Sequence, residues 1–379
     1  MTGTPAALLT LVLVLGASPV VMAGEFIRIT PSVSGTTVHD SNLFSTASAR
    51  QADLVARLSA GADGEYRSSI WALVGRCSFD AERFERHPEL TTMNARRHGE
   101  LGMTYAPTRR LTITAASDAS GTQNPGELNR DTGLSFTRAA ARHLAARGSI
   151  ARRFDRETTA TIGYAYASDS LLGSLDTRVQ ELRLAAEHRL SSRDTTRSSY
   201  RVQRFAFSGT EFEPSTTIAH TLSVGLTRSI TRQTTVAIDA GPTVNGGSVS
   251  AEVMAGLQHH TTSFDYSVNY GRTQAIVLGL AGTAVTQSVT TTAAWALRRA
   301  LQIRVSPAFY QTRLAFERAD VGRVSIDVLR TLTPGVSLEF GFDSGIQHGT
   351  LHPTTEDAAI LHRTTTIRIV ASPPSGRTR

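Results

Sequence analysis

Eleven histidines, a single cysteine and abundant serine and aspartate are the raw material for chemistry in this chain. A Ser/His/acid set is recognised by geometry and not by order in the sequence. Neither Gly-x-Ser-x-Gly, His-Glu-x-x-His, paired cysteines nor a phosphate-cradling glycine loop occurs. His259-His260 would ligate a metal only if both rings faced one way, and adjacent residues at a strand end face opposite ways. His39-Asp40 with Asn42 could hold a cation, but a loop cap is the plainer role. Cys77 shares the apolar parity of Gly75 and Phe79, which is the place of packing filler rather than of a nucleophile. Arginine pairs at Arg96-Arg97, Arg109-Arg110, Arg152-Arg153 and Arg298-Arg299 would suit nucleic acid, yet most of them fall at turns, where lipid phosphates would lie. The expectation is therefore a protein that is not an enzyme, with no cofactor, no metal and no nucleic-acid partner.

The elements that must carry these residues are strands. Ile218, His220, Leu222, Val224 and Leu226 alternate with Ala219, Thr221, Ser223, Gly225 and Thr227, and after the turn Thr231 to Thr234 the alternation resumes at Val236, Ile238 and Ala240. A looser loop is expected over Gly241-Pro242-Thr243-Val244-Asn245-Gly246-Gly247, then Val249 to Leu257, then Phe264 to Tyr270. The same hairpin repeats along the chain. Leu54 and Leu58, Trp71 to Phe79, Leu101 to Tyr105, Ile303 to Phe309 and Leu338 to Phe342 all keep period two. A charged loop is expected from Asp80 to Thr92 and a polar one over 117–131. Ala139 to Phe154 and Val179 to Leu190 are rich in helix formers, but their position in the repeat assigns them as strands.

The fold expected is all-β: a closed antiparallel transmembrane β-barrel of about 18 strands (range roughly 16–18) with short periplasmic turns and longer outer loops. A sandwich has strands of about five or six residues, whereas one strand plus its connection here takes roughly 20. Mean hydropathy of -0.13 is too polar for a helical membrane protein and fits strands that are apolar on one side. An apolar run from Ala6 to Val21, followed by Val21-Met22-Ala23, reads as an export signal over residues 1–23. The barrel then spans 24–371 and a disordered tail 372–379. No lysine occurs, so all 39 basic residues are arginine, against 32 acids, for a net charge of +7.

In such a barrel the apolar parity meets lipid, because only side chains touch hydrocarbon. The polar parity then lines the lumen, and the candidates are Arg28, Arg57, Arg76, Glu100, Arg183, Glu187, Asp239, Glu252, Asp265, Arg304, Glu339 and Arg368. Asp239, Glu252 and Asp265 fall on consecutive strands, so an acidic patch is expected there, facing an arginine-bearing wall. Gly271 to Val285 is an outer loop unusually apolar at Ile276-Val277-Leu278-Gly279-Leu280, and the sequence alone leaves open whether it folds inward as a plug.

One segment carries a resemblance. His39-Asp40-Ser41-Asn42-Leu43-Phe44, closing the first strand, resembles the loop motif of porin-type outer-membrane β-barrels associated with exopolysaccharide and PEP-CTERM loci. His39 stands where that family has an aromatic, and Asp40 to Phe44 match. The resemblance implies a cell outer-membrane location and a part in secretion or surface assembly of polysaccharide, with outer-membrane lipids, polysaccharide and export machinery as partners. A general diffusion channel is the other form of the same expectation. The rival classes are a barrel enzyme acting on lipid or polysaccharide and a secreted soluble β-protein.

Overall fold

The computed structural model describes residues 26–129, 131–172, 175–209, 212–298, 300–315, 317–349, 351 and 359–373. The expected leader at 1–23 and the tail from 374 onward lie outside the described residues. Among those described, eighteen strands form a single sheet. The first nine are β1 (Phe26–Asp40), β2 (Asp53–Arg67), β3 (Trp71–Phe84), β4 (Thr92–Thr108), β5 (Leu111–Thr122), β6 (Ala141–Arg153), β7 (Thr158–Leu171), β8 (Leu175–Arg189) and β9 (Asp194–Gly209). The second nine are β10 (Phe212–Ser229), β11 (Thr234–Asn245), β12 (Ser248–His260), β13 (Phe264–Ile276), β14 (Thr283–Arg298), β15 (Leu301–Leu314), β16 (Glu317–Thr333), β17 (Val336–Gly349) and β18 (Ile360–Ala371). Each pairs antiparallel with its neighbours in sequence, and β18 pairs with β1, from Val33↔Ala371 to Asp40↔Thr364. The sheet is closed, so no edge remains unpaired.

Period two builds this wall even where local propensity opposes it. β8 contains Gln180-Glu181-Leu182-Arg183-Leu184-Ala185-Ala186-Glu187, good helix formers throughout. Yet Leu182 and Leu184 are exposed on one face while Glu181, Arg183 and Glu187 share the other. Register carries this parity around the ring. Ile113, Ile150, Ile162, Leu184, Tyr200 and Leu222 are successive cross-strand partners from β5 to β10, and Ile303, Val328, Phe340 and Ile367 continue the same face from β15 to β18. These apolar side chains point away from the lumen, as does Cys77. So extensive an exposed apolar band requires a nonpolar surround.

At one end every connection is two to four residues long. Several use one device: Asp155 accepts from the N–H groups of Glu157 and Thr158, Ser191 from Arg193 and Asp194, and Thr231 from Gln233 and Thr234. Aromatic pairs sit beside these turns, with Trp71 stacked on Tyr105 at 4.2 Å and Phe264 tilted on Trp295 at 5.3 Å. The opposite end departs from the expected run of long loops. Only the connections 41–52, 85–91, 123–140, 277–282 and 350–359 are longer than three residues there. The loop expected over Gly241 to Gly247 is instead strand through Asn245, with a tight turn at Gly246 (φ 55°) and Gly247 (φ 85°), both in the region that suits a type I′ hairpin. Gly241 is needed where the backbones crowd, because a Cβ there would lie 1.8 Å from the Leu222 carbonyl oxygen. β3 likewise continues past Phe79 to Phe84, because Glu82 and Phe84 extend its inner-face alternation, and β5 runs to Thr122.

Candidate functional site

The inner face is polar for most of its depth and turns apolar near the loop end. There Ala284 on β14, Ala319 and Val321 on β16, and Tyr310 on β15 form one cluster with Leu134 and Phe136 of the 123–140 connection, Val277 of 277–282, and Leu351. Two loops have therefore folded into the lumen. The longer one begins with Asn124, whose side chain accepts from Gly126 N–H, and a 3-10 turn at Pro125–Glu127. At Gly133 the chain takes φ 65° against the ring of Tyr310, where a Cβ would be 2.6 Å away. Ser135 N–H then donates to Gln347 Oε1 on β17 at 2.9 Å. In a ring of eighteen, β15 is nine places from β6, so the segment reaches the opposite wall before returning.

The shorter loop meets it midway. Leu278 N–H donates to Asn129 Oδ1 at 3.0 Å, with Val277 and Leu278 both buried. Ile276, just before that loop, packs on Leu175, Phe205, Phe207 and Ala219 of β8 to β10. The apolar stretch Ile276 to Leu280 thus folds inward.

Charge anchors the other side of the long loop. Glu82 Oε1 accepts from Arg57 Nε at 2.9 Å and Glu82 Oε2 from Arg138 Nη2 at 3.0 Å. Arg96 donates from Nε to Glu127 Oε2 at 2.8 Å, and Thr122 Oγ1 donates to the same oxygen at 2.9 Å. The Glu82 side chain is 4% exposed and is matched by two guanidinium groups, the arrangement a buried carboxylate requires. Beside this anchor a pocket of about 230 Å³ is bounded by Glu127 and Arg138 of the loop and by Arg323, Asp343 and His362 of the wall. Arg57, Arg96 and Thr366 line both this pocket and a second one of about 630 Å³ that reaches Arg304, Asp327 and Glu339. These three side chains form the common boundary of the two cavities.

Of the twelve residues proposed from the sequence as lumen-lining, register puts all on the inner face, at very different depths. Arg57 and Glu252 lie toward the loop end, where Glu252 accepts a hydrogen bond from Arg201. Arg28, Arg76, Glu100, Arg183, Glu187, Asp239, Asp265, Arg304, Glu339 and Arg368 lie farther toward the short turns. Asp239, Glu252 and Asp265 do not form the expected acidic patch. Glu252 and Asp265 sit eight residues apart along β12, where His260 is the partner of Asp265, which is roughly 27 Å of strand. Each is also met by a base: Arg197 is 3.9 Å from Asp239, Arg201 binds Glu252, and His260 binds Asp265.

The His39 to Phe44 segment works as a cap. Asn42 is fully buried, its amide donating to the carbonyls of Thr46 at 2.8 Å and Leu361 at 2.9 Å while Oδ1 accepts from Thr46 N–H at 3.0 Å. Asp40 accepts from Asn42 N–H and pairs with His362 at 2.8 Å, and Leu43 and Phe44 pack with Val38, Val55 and Phe84. His259 bonds Thr234 while His260 bonds Asp265, so the pair diverges. Among the described residues no cluster of three or more His, Cys, Asp or Glu has metal-binding geometry. The sequence did not single out Glu82, Glu127 or Arg138. Their signal was the continued alternation of Glu82 and Phe84 beyond Phe79, and apolar residues appearing on the inner parity at strand ends.

No protein-family model matches the chain, and no curated protein matches it in sequence. Its shape is nevertheless that of solved outer-membrane barrels. Pseudomonas aeruginosa OccK7 (OpdD) superposes with a TM-score of 0.50 at 10% identity, over 94% of this chain and 100% of that one. Acinetobacter baumannii OccAB4 gives 0.49 at 6% identity, over 91% and 98%. The ferric enterobactin receptor PfeA of P. aeruginosa gives 0.47 at 7% identity, over 91% and 80%. At these identities the likeness is one of fold, that of a closed porin-type β-barrel.

Proposed function

We propose that the protein is an outer-membrane channel that passes small hydrophilic solutes through a constriction built by residues 123–140 and 277–282. The observation that carries this reading is the cross-lumen joint Asn129–Leu278, with cavities beside it that share Arg57 and Arg96 as a boundary. An exposed apolar outer band suits a bilayer, and an 18-strand barrel is wide enough for an aqueous lumen. Lining charges of both signs, held in pairs, favour polar solutes without committing the pore to one sign. Export of a polysaccharide, which the His39 to Phe44 resemblance implies, requires both loops to leave the lumen, because the long one is pinned at Glu82, Tyr310 and Gln347.

Swelling of proteoliposomes in sugars of graded size tests the reading. Monosaccharides are expected to enter and trisaccharides to be excluded. Swelling that is absent for every sugar contradicts a diffusion channel, and equal swelling with long oligosaccharides contradicts the constriction.

A further inference from the structure

The outer face is not evenly apolar. From β6 to β10 a row of large side chains, Ile150, Ile162, Leu184, Tyr200 and Leu222, is followed on the short-turn side by the row Arg152, Ala160, Ala186, Ser198 and Val224. The three middle residues of the second row are small, so a trough of about 460 Å³ opens below the large row. The next outward row toward the turns is Thr158, His188 and Thr196, with Thr158 Oγ1 and His188 Nδ1 3.1 Å apart.

The trough has a direction. Arg152 lies one residue from the end of β6, Ala160 two from the start of β7, Ala186 three from the end of β8, Ser198 four from the start of β9 and Val224 five from the end of β10. From Arg152 to Ser198 it therefore starts at the short-turn rim and climbs steadily away from it, by roughly 10 Å at the rise of an antiparallel strand. At its rim end stands a cation. Arg152 is exposed, makes no ion pair among the described residues, and places its guanidinium 5.4 Å from the centroid of the exposed Phe154 ring. Arg153 and Arg156 flank it in the chain.

We propose that this trough is a binding site for an anionic glycerophospholipid of the leaflet at the short-turn end. Its phosphate is held by Arg152, its polar backbone lies by Thr158 and His188, and one acyl chain lies over Ala160, Ala186 and Ser198. The inference rests on the membrane reading above. Charge complementarity selects the occupant: a guanidinium at the water-facing end of an apolar furrow matches an amphiphile with a phosphate at one end. A second copy of this chain would instead have to meet an exposed cation at the rim of the contact.

Native mass spectrometry of the detergent-extracted full chain, titrated with phosphatidylglycerol or phosphatidylcholine, tests the site. The wild type is expected to retain one phosphatidylglycerol in preference to phosphatidylcholine. Arg152→Gln should lower that affinity about tenfold, the effect of losing one charge-assisted contact. Ala186→Leu fills the furrow on a lipid-facing position and should abolish retention, whereas Ala293→Leu, outward on β14, should not. Equal retention by wild type and Ala186→Leu overturns the proposal, as does loss of an oligomer on Ala186→Leu, which would assign the trough to a second copy. Because all variants are first checked for solute flux in proteoliposomes, a failed lipid site is distinguished from a failed channel: in the first case flux persists, and in the second it is absent in the wild type.

Discussion

The two halves of the lumen are built from the same strands and behave differently. Toward the short turns the inner-face ion pairs are open to water: Arg76 and Asp63, 2.6 Å apart, are 62% and 51% exposed. Toward the loops the pair of Arg57 with Glu82, 2.7 Å apart, is 18% and 4% exposed, and apolar side chains take over the inner parity. Strand geometry is common to both halves, so packing by the inward loops makes the difference. A charge pair in water contributes little, whereas a buried carboxylate that loses its partners leaves uncompensated charge. The loop half is thus a tertiary structure within the lumen, and the turn half is a wall.

This contrast can be broken at the loop half first. Glu82→Gln removes the carboxylate that holds Arg57 and Arg138 and should cost about 3–5 kcal/mol of loop docking. Trypsin cleavage at Arg138 in the folded barrel and a shift of reversal potential toward anion selectivity are the expected readouts. Gly133→Ala introduces a Cβ 2.6 Å from Tyr310 at a backbone angle of 65°, costing about 1–2 kcal/mol for the left-handed conformation alone, before the clash. The clash part should be recovered when Tyr310→Ala is combined with it, seen as restored protection of 123–140 from hydrogen exchange.

In the turn half the expected effects are smaller. Arg76→Gln should change stability by about 0–1 kcal/mol and leave the loops protected, while moving selectivity slightly toward cations. Increased protease access to 123–140 in that variant would mean the two halves are coupled after all. Smallest is Asp155→Ala in the β6–β7 turn. Backbone N–H groups of Glu157 and Thr158 hold the Asp155 carboxyl below its ordinary value. A lowered folded-state value makes this cap effective above the ordinary carboxyl range and lost as pH falls below it. Wild type and variant should therefore differ slightly in thermal midpoint at neutral pH and converge in acid.

Much of the wall was legible because period two is a local signal. The strand count, the outward set around Leu222 and Ile238, and the strand character of the Ala/Arg-rich stretches all follow from alternation plus repeat position. The acidic patch failed because alternation assigns a face and carries no depth. Asp239, Glu252 and Asp265 share a face while register spreads them along it. The inward loops were less legible. The apolarity of Ile276 to Leu280 marked that loop as unusual without deciding whether it turns inward, and the 123–140 segment is polar at its start and hides Leu134 and Phe136 among Gly, Ser and Thr. Its anchors Glu82 and Gln347 lie far away in sequence, so only the closed ring brings them to it.

The most direct measurement is single-channel conductance in planar bilayers of the intact chain against a variant in which 124–138 is replaced by a short Gly-Ser link, both first shown to fold by their heat-modifiable gel mobility. A constriction built by this loop predicts small openings in the intact protein and openings several-fold larger in the variant. Equal conductance in the two would contradict it.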